Sequence, residues 1–140
     1  MMEKVIIFIV GMYLVIMAVI DRRTKKIPVI PGIVCMAMVA LAQVVDGREW
    51  KCWIPGLLVG IFMYAVSRIS RGQVGTGDAL VYFVTGLALG FMRNVELLMI
   101  SLFLASVVAL LLVVVRHVGK HYALPFIPFT AVAFGVVVCL

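Results

Sequence analysis

The chain has 140 residues, 66% of them hydrophobic and 13% charged, with 12 Lys and Arg against 6 Asp and Glu for a net charge of +6. A soluble domain is ~45–50% apolar and keeps about a quarter of its residues charged. This composition, with a mean hydropathy of +1.27, therefore excludes a water-soluble enzyme, a disordered tail and a nucleic-acid-binding module, and the basic excess reads as the charge that orients a membrane chain against anionic lipid headgroups.

In chain order, the charge-free apolar runs are residues 5–20, 27–45, 52–67, 79–92, 97–115 and 122–140. A spanning helix needs ~20 mainly apolar residues to cross a ~30 Å hydrocarbon core. The runs 27–45, 97–115 and 122–140 approach that length unaided, and the other three need flanking residues such as Lys4, Trp50 or Gly77. None alternates apolar and polar at every second position, as the strands of a membrane barrel do. The prediction is an all-α integral membrane protein, a single domain over residues 1–140 built as a bundle of six transmembrane helices.

The first run is preceded by Met1-Met2-Glu3-Lys4, which has no net positive charge, and no Ala-x-Ala-like site follows it. It reads as a retained span and not as a cleaved secretory signal. Lys4, Arg48, Lys51 and Arg93 fall at the N-terminus and in the second and fourth connections. Arg22, Arg23, Lys25, Lys26, Arg68, Arg71, Arg116 and Lys120 fall in the first, third and fifth. The positive-inside tendency makes the odd connections cytoplasmic and puts the N-terminus and C-terminus outside, in the cytoplasmic (inner) membrane. Gly56 and Gly60, then Gly86 and Gly90, repeat at four-residue spacing, which suits close helix packing. Cys35, Cys52 and Cys139 include no Cys-x-x-Cys pair and suggest neither a disulfide framework nor a zinc site.

Sorting the acids by side isolates two of them. Glu3, Asp46, Glu49 and Glu96 belong to the outer face, and only Asp21 and Asp78 belong to the inner one. Asp21 ends the first run and Asp78 opens the fourth. A plain alternative exists for each, Asp78 as a helix N-cap and Asp21 as a loop acid among basic residues. Against the first stands the run Gly75-Thr76-Gly77-Asp78, whose glycines permit close approach of another backbone to the carboxylate. Two interacting carboxylates cannot both ionise, so one holds a proton while the other activates water. That division of labour suits hydrolysis of a peptide bond without a metal or cofactor. A helix N-terminus favours Asp78 as the anion and a C-terminus disfavours Asp21, while Arg22 and Arg23 push Asp21 the other way. The roles are therefore assigned to the pair jointly.

Asp21-Arg22-Arg23-Thr24-Lys25-Lys26-Ile27-Pro28, followed by Gly75-Thr76-Gly77-Asp78, resembles the type IV prepilin peptidases and their preflagellin relatives, membrane aspartic proteases of the Gly-x-Gly-Asp kind. Pro125-Phe126-Ile127-Pro128-Phe129 also looks like a family element. The resemblance implies Asp21 and Asp78 as the catalytic pair and Gly75 and Gly77 as active-site backbone. It implies cleavage of a short basic leader from a pilin-like precursor at the cytoplasmic face, and a place in type IV pilus assembly or protein secretion. Many relatives carry Asn where this chain has Val29 and Lys where it has Leu80. Larger bacterial members resemble a fusion with an N-terminal Cys-x-x-Cys domain linked to methyl transfer. This chain lacks such pairs, so cleavage without methylation is expected.

A basic leader would meet basic inner connections. Screening over ~8–10 Å and anionic lipid headgroups are expected to ease that contact. The alternative function is a transport or assembly component in which Asp21 and Asp78 bind a proton or cation. His117 and His121, four apart, read as interfacial residues and not as a metal pair. Trp50 and Trp53 read as interface anchors, and the nine methionines as gap-filling core residues.

Overall fold

A computed structural model describes residues 1–24, 28–71, 76–116 and 126–139, with the side chains of Thr24 and Thr76 excepted. Helix α1 runs over Met2–Thr24. Glu3 in its first turn and Arg22 and Arg23 in its last match the sign of the helix dipole at each end. Pro28, in extended conformation, precedes α2 at Val29–Val45. Pro31 lies in the first turn of α2, where no intrahelical N–H bond is lost. Gly47, at φ 72°, ends α2: the Gly47 amide donates to the Val44 carbonyl and the Arg48 amide to that of Gln43. This 6→1 closure needs a left-handed residue, and glycine supplies it at least cost.

One helical turn, α3 at Trp50–Trp53, passes through a 3-10 turn at Ile54–Gly56 into α4 at Leu57–Ile69. Helix α5 covers Thr76–Leu89, α6 Phe91–Arg116 and α7 Ile127–Cys139. Gly90 alone joins α5 to α6, at φ 83°, and a side chain there would crowd the Cys52 carbonyl.

The all-α bundle appears as expected, but the expectation of six full-length spans is corrected. Among the described residues three helical segments are long and apolar enough to cross a membrane: Met2–Arg23, Trp50–Ile69 and Phe91–Arg116. The apolar helices Val29–Val45, Gly77–Leu89 and Ile127–Cys139 are shorter. An apolar run is not a helix length. Pro28 is extended and delays α2, α7 starts only at Ile127 within the 122–140 run, and the Gly90 turn stops α5. Conversely, charged ends lengthen α1 beyond the 5–20 run. The protein is a multi-span, membrane-associated helical bundle.

Helix α5 is its centre, packed against α1, α2, α4 and α6, with Ala79, Val81, Tyr82, Val84, Thr85, Leu87 and Ala88 all buried. The closest approach is to α4. A methyl added at Gly56 would overlap the Gly86 carbonyl, and one at Gly86 the Gly56 carbonyl, while Gly60 lies under the Phe83 ring. Three of the four spaced glycines therefore make room for a neighbour, and Gly90 makes a turn instead. Large apolar side chains such as Phe8, Leu41, Phe62, Phe103 and Leu110 cover the outer surface, as a surface facing lipid tails requires.

Asn94 ties three segments together. Its side-chain amide donates to the Gly56 and Tyr82 carbonyls at 3.3 and 3.1 Å and accepts from the Thr85 hydroxyl at 2.8 Å. Asn94→Ala strips all three bonds from a fully buried site, and about 1–3 kcal/mol of stability should be lost. Thermal unfolding in detergent measures it, and an unchanged midpoint contradicts the assignment.

Candidate active site

On α1 the buried positions Ile6, Val10, Leu14, Met17 and Asp21 follow one another at spacings of three and four. This is the inward stripe of a 3.6-residue helix, and Asp21 continues it in the last turn. The carboxylate thus belongs to the face that packs on the bundle, and Asp21 is only 7% exposed. Arg22 and Arg23, a third of a turn and more away, are exposed.

Asp78 is the third residue of α5, part-exposed, with Gly77 before it also part-exposed. Gly75 lies outside the described residues, as do Lys25, Lys26, His117, Lys120, His121 and Pro125.

Both aspartates belong to the same end of the bundle. Gly32, in the second turn of α2, meets Leu80 of α5 and the Tyr13 hydroxyl of α1. At the far end of α2, Gln43 donates to the Leu87 carbonyl at 2.9 Å. Helices α2 and α5 therefore run in parallel. Helix α1 ends at Thr24 and α2 begins at Val29, so the tip of α1 that carries Asp21 sits beside the end of α2 that lies next to the start of α5. Helices α1 and α5 are also in direct contact.

Helices α5 and α6 separate at Gly90 and pack against each other. The face of α5 that bears Asp78 continues one turn on with Tyr82. The Tyr82 hydroxyl lies 3.3 Å from that of Thr130 on α7, and its ring stands 6.3 Å from that of Phe126. The Phe126–Phe129 part of the proline-flanked element singled out in the sequence thus begins the helix that packs one turn beyond Asp78.

Charge separates along the bundle axis. Arg22, Arg23, Arg68, Arg71 and Arg116 ring the aspartate end, with the Arg68 guanidinium 5.7 Å from the Tyr64 ring centre. Lys4, Arg48, Lys51 and Arg93 mark the other end. Leu80 fills the space over Gly32. Among the described residues no group of three or more His, Cys, Asp or Glu side chains gathers as a metal-ligand set. The sequence gives no warning of Tyr13, whose hydroxyl is buried at the three-helix junction, because one tyrosine in an apolar run looks like any core residue.

The profile of the type IV leader peptidase family matches residues 8–114, a stretch that includes Asp21 and Asp78. The chain belongs to the type IV leader peptidase family. It is also similar to the prepilin leader peptidase/N-methyltransferase of Bacillus subtilis (strain 168), with 27% identity over 124 residues. That alignment takes in 87% of this chain and 49% of the relative, so the chain spans about half the length of the curated relative it matches. No solved structure matches. Membership in the family is consistent with processing of pilin-type precursors.

Proposed function

We propose that this family member is an aspartic endopeptidase that removes a short basic leader from pilin-like precursors, with Asp21 and Asp78 as its catalytic pair. One observation carries the reading: a carboxylate buried at the last turn of α1 and a second, part-exposed, at the first turn of α5 share an end of the bundle. The ionised member of the pair takes a proton from water as that water attacks the scissile carbonyl. The protonated member donates to the carbonyl oxygen, and the proton then passes to the leaving amine as the tetrahedral intermediate collapses. Gly75 and Gly77 precede Asp78 in the sequence and carry no side chain to hold an extended peptide away.

The charge pattern supports an orientation in the inner membrane with the aspartate end in the cytoplasm and both termini outside. A central helix enclosed by its neighbours need not match the bilayer thickness, because its ends meet protein or water and not lipid. The basic rim favours anionic headgroups, which draw in the leader despite its like charge.

The test uses purified protein in detergent with a pilin-like precursor and mass spectrometry of the products. Cleavage between the leader and the apolar helix is expected, with no added metal or nucleotide. Absence of cleavage, combined with proton or cation flux through liposomes that depends on the same two aspartates, overturns the reading in favour of transport.

A further inference from the structure

A polar cavity occupies the end opposite the aspartates. Glu3 from the first turn of α1, Arg48 from the connection after α2 and Arg93 from the first turn of α6 line this cavity of about 150 Å³ floored by Ala88 and Leu89. Arg93 also lines a groove of about 530 Å³ between α6 and α7, walled by Val95, Met99, Ile100 and Val137, with Glu96 at its mouth. Arg93 lines both spaces. A pocket bearing charges of both signs therefore adjoins an apolar groove.

The charged groups are held by backbone already fixed for other reasons. The Arg48 amide closes the end of α2, and its carbonyl accepts from the Trp53 indole at 3.3 Å. Arg93 precedes Asn94, whose three buried bonds pin the start of α6. Both arginines remain exposed, so each guanidinium can turn into the pocket.

We infer that this is a binding site for an aminophospholipid, a lipid whose headgroup joins a phosphodiester to a primary ammonium. Arg48 and Arg93 receive the phosphate oxygens through guanidinium N–H donors. Glu3 accepts from the ammonium. One acyl chain lies along Met99, Ile100 and Val137. Two cations and two carboxylates around the site match both signs of a zwitterionic headgroup, whereas an anionic headgroup brings no ammonium to Glu3. Basic residues between membrane helices bind the phosphate of anionic headgroups, and here the carboxylate shifts the preference to a headgroup that also carries an ammonium.

The measurement is lipid titration of the full chain in detergent by native mass spectrometry, with dioleoyl phosphatidylethanolamine, phosphatidylcholine and phosphatidylglycerol as probes. The account predicts one tightly retained phosphatidylethanolamine. Arg48→Gln and Arg93→Gln should each weaken it about fivefold, the scale of one basic contact at a headgroup, while Arg93→Lys keeps most of the binding. Glu3→Gln should bring phosphatidylethanolamine down to the level of phosphatidylcholine without altering the latter. Met99→Trp, at the exposed wall of the groove, should weaken every lipid and leave free phosphoethanolamine unaffected. Tighter retention of phosphatidylglycerol than of phosphatidylethanolamine overturns the assignment. So does phosphoethanolamine binding as strongly as the lipid, which makes the site one for a soluble phosphate ester. Helical circular dichroism of each variant separates lost binding from lost fold.

Discussion

Asp78→Asn and Asp21→Asn should each reduce leader cleavage by at least about 10³-fold while the protein still inserts and folds. General acid–base catalysis by a positioned side chain contributes ~10²–10⁴ in rate, and here each carboxylate is asked both to hold and to move a proton. An amide has nearly the same shape as a carboxylic acid but can neither take the proton from water nor surrender one to the carbonyl oxygen. Folding should survive for different reasons at the two positions. Asp78 is part-exposed in the first turn of α5, where an amide of the same size keeps its contact with water. Asp21 is buried, and a neutral amide of equal size removes a charge from the protein interior. The measurement is precursor processing with purified variants, beside circular dichroism and protein yield. Full processing by either variant removes that residue from the chemistry.

The second large effect is on stability. Gly86→Val should prevent α4 and α5 from packing and abolish the folded bundle, and Gly86→Ala should cost at least the ~1–3 kcal/mol typical of an overpacked core. The reason is what the new atoms meet. At Gly86 and Gly56 the obstacle is the other glycine's carbonyl and backbone, which cannot rotate aside as a side chain can. Separating the helices by a methyl's width also pulls Gly56 from the Asn94 amide, leaving a buried polar bond unmade. Gly60→Ala meets the Phe83 ring instead and should be milder. Thermal or denaturant unfolding in one detergent ranks the three, and a Gly86→Ala protein as stable as the parent contradicts the packing account.

Much of this arrangement can be read from the residues before any coordinates. Six apolar runs become six helical segments, because in lipid the backbone must satisfy its own hydrogen bonds. The alternation of runs is enough to bring residues 21 and 78 to one end. The spacing of Gly56, Gly60 and Gly86 carries the α4–α5 approach. Depth is less legible. Charge-free length overestimates α2 and α7, since Pro28 and the late start at Ile127 shorten the helices without interrupting the apolar run. The polar stretch Arg93-Asn94-Val95-Glu96 reads as a loop. In the structure the Gly90 turn is so tight that this stretch already belongs to α6, and Asn94 is turned inward. Burial of Asp21 lies in the helical phase it shares with Val10, Leu14 and Met17, but an apolar helix that faces lipid on one side and protein on the other conceals which phase is inward. The pocket at Glu3, Arg48 and Arg93 joins residues from three distant parts of the chain, and no local pattern announces it.

The central claim is that two carboxylates act as one catalytic device, and a double-mutant cycle on the turnover rate tests it most directly. If Asp21 and Asp78 share a single proton cycle, the Asp21→Asn, Asp78→Asn double variant should be no slower than either single variant, since removing one member already disables the other. Losses that multiply, or a single variant that keeps the parent's rate, would show that the two act independently and would contradict the account.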